Sequence, residues 1–227
     1  MSVWNRIEKF IATARKRTLG ALLETIAAQK QRRNEAAFSI ALIALSAKMA
    51  KADGVVTDDE IDAFRDFFAF PEAEAGKVRM IYRLAQQDVA GFDEYVARVA
   101  KIFADSPVVL EDVLDCLFHV ALADGVAHPR ELELIERAAA AFEVKDAAFR
   151  RIKATHLGLG EDDPHLILGV DFEAGLDGVK AAYRRLAHEH HPDALLARGV
   201  PTELVKIGEQ RMAAINAAYE KLLAELA

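Results

Sequence analysis

Helix breakers and cross-links are scarce in this sequence. Its 227 residues hold 6 prolines, 12 glycines, one tryptophan and a single cysteine, Cys116. One cysteine excludes a disulfide framework within the chain. Its place on an apolar helical stripe makes it a small core residue instead of a nucleophile. Runs of β-branched residues at a period of two are few, so the composition predicts an all-α fold. The longest uncharged apolar run, Ala36–Ala47, is broken by Lys48. A bilayer span needs roughly 20 residues, so this run is too short. Met1–Arg17 alternates charged and apolar residues and never builds the apolar core of a secretory signal. No Gly-x-Ser-x-Gly, phosphate loop or Rossmann fingerprint occurs, so neither enzyme activity nor a cofactor is expected.

What the chain does have is a 52% hydrophobic, 29% charged composition, enough to bury a core. The net charge of −7 is unevenly spread, with +6 over residues 1–33, −10 over 34–162 and −3 over 163–227. So acidic a body argues against nucleic acid as a partner, since phosphate binding needs a basic face.

Residues 1–33 read as a basic amphipathic helical segment, with Trp4, Ile7, Phe10, Ile11 and Ala14 on one side of its first helix. Two readings fit that helix. It either docks on the domain behind it or makes peripheral membrane contact through residues 1–17. Residues 34–157 form a helical domain. Glu35–Asp53 is apolar nearly all round and belongs in a core. Gly54 ends it, and Thr57 to Glu60 has the form of a capping box for the next helix. This unit returns 71 residues later. Ala52-Asp53-Gly54-Val55 with Glu60 matches Ala123-Asp124-Gly125-Val126 with Glu131, and Pro129 stands at the first helical position after His128. Ala73–Gln87, Phe92–Ala104 and Lys145–His156 read as further helices. A short linker, 158–162, leads to a last unit, 163–227.

That last unit carries the most specific pattern. Val179, Ala182, Tyr183, Leu186 and Ala187 have amphipathic helical spacing, while Lys180, Arg184 and His188 form a row with Arg185 beside it. Pro192 disfavours helical angles at His191, so the helix should end in an exposed His191-Pro192-Asp193 turn. With Asp163 to Val170 before it and Met212, Ile215, Asn216, Tyr219 and Leu222 after it, the segment resembles the J domain of DnaJ-type co-chaperones. His165 stands in place of the usual aromatic residue, Glu189 in place of a basic one, and Ala194 follows the tripeptide. The resemblance implies a three-helix domain with Leu168, Tyr183, Leu186, Ile215 and Tyr219 in its core. It also implies that His191, Pro192, Asp193, Lys180, Arg184 and Arg185 bind a DnaK-type Hsp70 and stimulate its ATPase. The duplicated helix-turn-helix of residues 36–155 resembles the TerB-like fold. A TerB-like domain followed by a J domain is the arrangement of DjlA-like co-chaperones, which implies a co-chaperone whose TerB-like part selects location or clients. Familiar DjlA proteins begin with a membrane-spanning segment and this sequence shows none, so the expected location is the cytoplasm, peripheral at the membrane if residues 1–17 meet lipid.

Two metal readings compete with structural ones. The TerB-like resemblance offers Asp53, Glu60, Asp124 and Glu131 as ligands. Their spacing of seven is not that of a calcium loop, and the glutamates sit where helix caps belong, so no metal is expected. His188, His190 and His191 lack further ligands for tetrahedral zinc. The alternative function is a metal-responsive stress or scaffold protein with a degenerate J domain.

Overall fold

Proline, glycine and capping side chains open and close the helices of this chain. The computed structural model describes residues 34–51, 75–87, 91–122, 125, 127–158, 163–198, 200 and 205–226. Regular structure among them is entirely helical. The larger part holds α1 (Asn34–Lys51), α2 (Ala75–Gln87), α3 (Phe92–Ile102), α4 (Pro107–Ala121), α5 (Pro129–Ala141) and α6 (Asp146–Leu157). The remainder holds α7 (Pro164–Leu168), α8 (Leu176–His190), α9 (Pro192–Arg198) and α10 (Val205–Glu225). The basic segment 1–33, the Thr57–Glu60 capping box and residues 159–162 of the linker lie outside the described residues. No described helix is long and apolar enough to cross a membrane.

α1 is the axis of the larger core. Every side chain from Phe38 to Met49 is buried, including Ser39, Ser46 and Lys48. The Lys48 ammonium lies 5.4 Å from the Tyr95 ring centroid, a cation–π contact that offsets part of the cost of burying its charge. Around α1 pack helices with a single apolar face. On α2 that face is Val78, Ile81, Tyr82 and Ala85, at helical spacing, while Arg83 and Gln87 are exposed. On α3 it is Phe92, Tyr95, Val96 and Val99. α4 is the counterpart of α1 in the 71-residue repeat, is buried almost as completely, and packs directly on it. The duplicated helices therefore share one core. After α4, Gly125 takes a left-handed φ of 92°, a conformation that side chains rarely adopt.

In the C-terminal part, α8 and α10 run antiparallel, because Tyr183 meets Tyr219 while His190, further along α8, meets the earlier Arg211. α7 closes one end, with the Asp163 carboxylate accepting the Leu166 N–H as an N-cap. Ile167, Leu168, Val179, Leu186, Ile215, Ala218 and Leu222 fill the space between these helices. The burial of each leucine contributes about 1.5–3 kcal/mol.

The two parts interlock. Ala154 of α6 packs into the smaller core, whereas Leu195 of α9 and Val200 pack into the larger one. Leu195 reaches its place through a notch in α10, where a Cβ on Gly208 would come within 2.0 Å of Leu195 Cδ1.

Candidate functional site

α8 stops at His190 because Pro192 holds the preceding residue extended, at φ −59° and ψ 139°. The same proline opens α9, since a first-turn position needs no N–H. His191 is thus both the end of one helix and the cap of the next. Its Nδ1 accepts the Asp193 N–H at 3.2 Å. His128-Pro129 uses the same device to open α5, with the Arg130 N–H donating to His128 Nδ1 at 3.3 Å. The expected turn is therefore a rigid corner between two helices, α9 being an addition to the three helices read from the sequence. The His191 and Asp193 side chains are 57% and 88% exposed. Lys180 is half-buried, Arg184 and Arg185 are exposed, and the Arg184 Nε–H donates to the Lys180 carbonyl.

Beneath this corner lies a buried cluster of charges. Asp112 and Asp115 project from the same face of α4, three residues apart. Arg211 of α10, its side chain 4% exposed, donates from Nη1 to Asp112 Oδ1 at 3.1 Å and from Nη2 to Asp115 Oδ2 at 2.6 Å. Arg198, the last residue of α9, donates from Nε and Nη2 to Asp112 Oδ2 at 3.1 and 2.9 Å. Its Nη1 donates to the Glu189 carbonyl at 2.7 Å. At the margins, His156 meets Asp115 Oδ1 at 2.8 Å and Arg151 pairs with Glu111 at 3.1 Å.

Burial works against the charge on Asp115, yet Arg211 and the His156 hydrogen bond outweigh it and bring the carboxyl down to about 2. At Asp112 burial prevails and lifts the carboxyl above its usual range, against the pull of Arg211 and Arg198. His190 touches Arg211 Nη1 through Nδ1 at 2.6 Å and lies 3.4 Å from Arg151 Nη2 through Nε2. A guanidinium only donates and a neutral imidazole has one acceptor, so the much shorter contact makes Nδ1 the acceptor. The proton then sits on Nε2, whose 3.4 Å approach to Arg151 is a contact and not a hydrogen bond. Burial, reinforced by Arg211 and Arg151, pushes this imidazole down to about 2.

A pH dependence follows. His190 is neutral in the fold, while an unfolded histidine titrates near pH 6.5. Below that value the unfolded chain binds a proton that the fold refuses, so stability is lost as pH falls. Between pH 7 and pH 5 the loss at His190 is about 2 kcal/mol. His119, pushed down to about 4 chiefly by burial, acts in the same direction. Denaturant unfolding across this range checks the expectation, and His190→Gln should flatten the slope. An unchanged slope in that variant would assign the effect elsewhere.

Of the residues expected in the smaller core, Leu168, Leu186 and Ile215 are buried. Tyr183 and Tyr219 are half-buried and stack at 4.0 Å, with the Tyr183 hydroxyl donating to Asn216 Oδ1. Asp53, Glu60 and Asp124 lie outside the described residues. Glu131 sits in a capping box, with Oε2 accepting the His128 N–H at 3.0 Å. Among the described residues no group of three side chains is arranged to hold a metal ion. His188 and His191 are exposed, whereas His190 is enclosed by two guanidinium groups.

Sequence reasoning missed the Asp112, Asp115, Arg198 and Arg211 cluster, although a signal was present. Arg211 falls on the apolar stripe of Ile215, Ala218 and Leu222, and the two aspartates interrupt an apolar run. A charge on a buried stripe calls for a partner.

Residues 39–154 match the family described as tellurite resistance protein TerB. The chain is 29% identical to co-chaperone protein DjlA of Photobacterium profundum over 217 residues, covering 84% of this chain and 78% of that protein. It is 26% identical to co-chaperone protein DjlA of Vibrio vulnificus over 232 residues, covering 87% and 80% respectively. Against co-chaperone protein DjlA of Shewanella oneidensis the identity is 43% over 63 residues, or 28% of this chain and 24% of that one. No solved structure matches the chain.

Proposed function

This chain belongs to the TerB family and is DjlA-like with a TerB-like domain, and on that premise we propose that it is a J-domain co-chaperone. Its partner in this reading is a DnaK-type Hsp70, whose ATP hydrolysis it stimulates. The chain itself hydrolyses nothing and works in the cytoplasm, and its TerB-like domain serves to choose location or clients. The observation that carries the reading is the corner at Pro192. It leaves the His191 and Asp193 side chains in solvent, at the end of the helix that carries Lys180, Arg184 and Arg185. A basic row of which Arg184 and Arg185 are exposed steers association with an acidic groove, and an exposed carboxylate can accept charge-assisted hydrogen bonds there.

Steady-state ATPase of a bacterial Hsp70, measured with and without this chain, tests the proposal. A several-fold rise that weakens with added salt is the expected result, because steering between exposed charges is screened. The alternative reading, a metal-responsive scaffold with a degenerate J domain, predicts no stimulation. An Hsp70 rate unchanged at saturating concentrations of the chain would reject the co-chaperone.

A further inference from the structure

Resting on the co-chaperone reading above, we infer that Asp112 and Asp115 of the TerB-like domain are positioning residues for the His191-Pro192-Asp193 corner, acting through Arg198, Arg211 and His190. The TerB-like domain then contributes to stimulation itself, beyond any choice of location or client.

Both ends of the segment that bears the tripeptide are tied to one carboxylate. At its start, His190 immediately precedes the tripeptide and is held by Arg211, which Asp112 and Asp115 hold in turn. At its end, Arg198 closes α9 and forks onto Asp112. Arg198 also repairs the helix break. The Glu189 carbonyl would ordinarily accept the N–H of residue 193, but that N–H is turned to His191 Nδ1. Arg198 Nη1 supplies the missing donor at 2.7 Å. The corner and the clamp are thus one hydrogen-bonded unit.

α9 cannot hold this shape alone. It has seven residues, and isolated helices shorter than ~12–15 residues are marginal in water. What fixes it is tertiary, namely Leu195 packed into the larger core and Arg198 on Asp112. Both anchors depend on the TerB-like body. Neither touches the outward faces of Lys180, Arg184 and Arg185, so capture of the partner by the basic row and orientation of the tripeptide are separable.

The test uses the full chain and two variants. Asp112→Asn removes the shared carboxylate. Arg198→Gln, at a side chain 19% exposed, is the milder change should the first variant fail to fold. Amide hydrogen exchange should speed on the order of tenfold across residues 189–198, with residues 92–102 unchanged. In Hsp70 ATPase titrations the maximal stimulation should fall several-fold, while the half-maximal concentration stays within about twofold, since steering charges remain. Exchange at the parental rate in a folded variant would overturn the positioning role. So would faster exchange with undiminished maximal stimulation, because the clamp would then be structural only. A parent chain that stimulates no Hsp70 would reject the co-chaperone reading, and this inference with it. That outcome is separated from the others by the parent titration itself.

Discussion

Asp193→Asn is expected to bring Hsp70 stimulation down to the unstimulated rate while the unfolding midpoint stays where it was. The Asp193 carboxylate is 88% exposed and lies 3.6 Å from His191 Nδ1, which already accepts the Asp193 N–H and has no proton to give it. Even a charged pair at so exposed a place is worth only about 0–1 kcal/mol. The carboxylate also favours the first turn of α9 through the helix dipole, a contribution of about 0.3–1 kcal/mol at an exposed site. The fold therefore hardly depends on it. In the proposed complex the same group accepts charge-assisted hydrogen bonds, each worth about 1.5–3 kcal/mol, and the amide cannot replace its charge. Loss of one such contact at the step that triggers hydrolysis lowers the rate by more than about tenfold. ATPase titration beside a melting curve separates the two effects. Parental stimulation by this variant would remove the central support for the tripeptide's role.

Arg211→Met should act in the opposite sense, costing stability first. Among the described residues Arg211 is the one cation that bonds both Asp112 and Asp115, whose side chains are 3% exposed. Removing it leaves Asp112 with Arg198 and Asp115 with His156, with no guanidinium between the two carboxylates. Breaking a buried ion pair from one side costs about 3–5 kcal/mol, because the remaining charge stays desolvated. Denaturant unfolding at pH 7 measures this directly. Replacing the whole charged set, as Asp112→Leu/Asp115→Leu/Arg198→Leu/Arg211→Met, should recover much of the loss, since a buried ion cluster contributes little net stability. A single variant as stable as the parent would mean that Arg211 is not the keystone of the cluster.

How much of this was legible in the sequence depends on the range of the contact. α1 could be placed in a core because its apolar residues leave no polar face. The break at His191 and the cap at His128 follow from prolines acting on their immediate neighbours. These causes reach a few residues. From the sequence α9 reads only as a turn, because Pro192 marks the end of a helix, although a proline also starts one. The clamp joins Asp112 to residues 198 and 211, and periodicity does not say which distant charges will meet. For the same reason the linker pointed to two nearby units, whereas Leu195 and Ala154 are each built into the other's core.

The shared cluster also decides how freely the two halves can be traded. A TerB-like body fused to a C-terminal unit without arginines at the positions of Arg198 and Arg211 would bury two carboxylates with no guanidinium from that unit to meet them. The converse graft would strand two cations against an apolar wall. Descent with changed partners must therefore alter α4, α9 and α10 in concert, and a chimera assembled by cutting at the linker inherits a mismatch far from the cut. Shuffling that respects the molecule would carry α4 along with the tripeptide it supports.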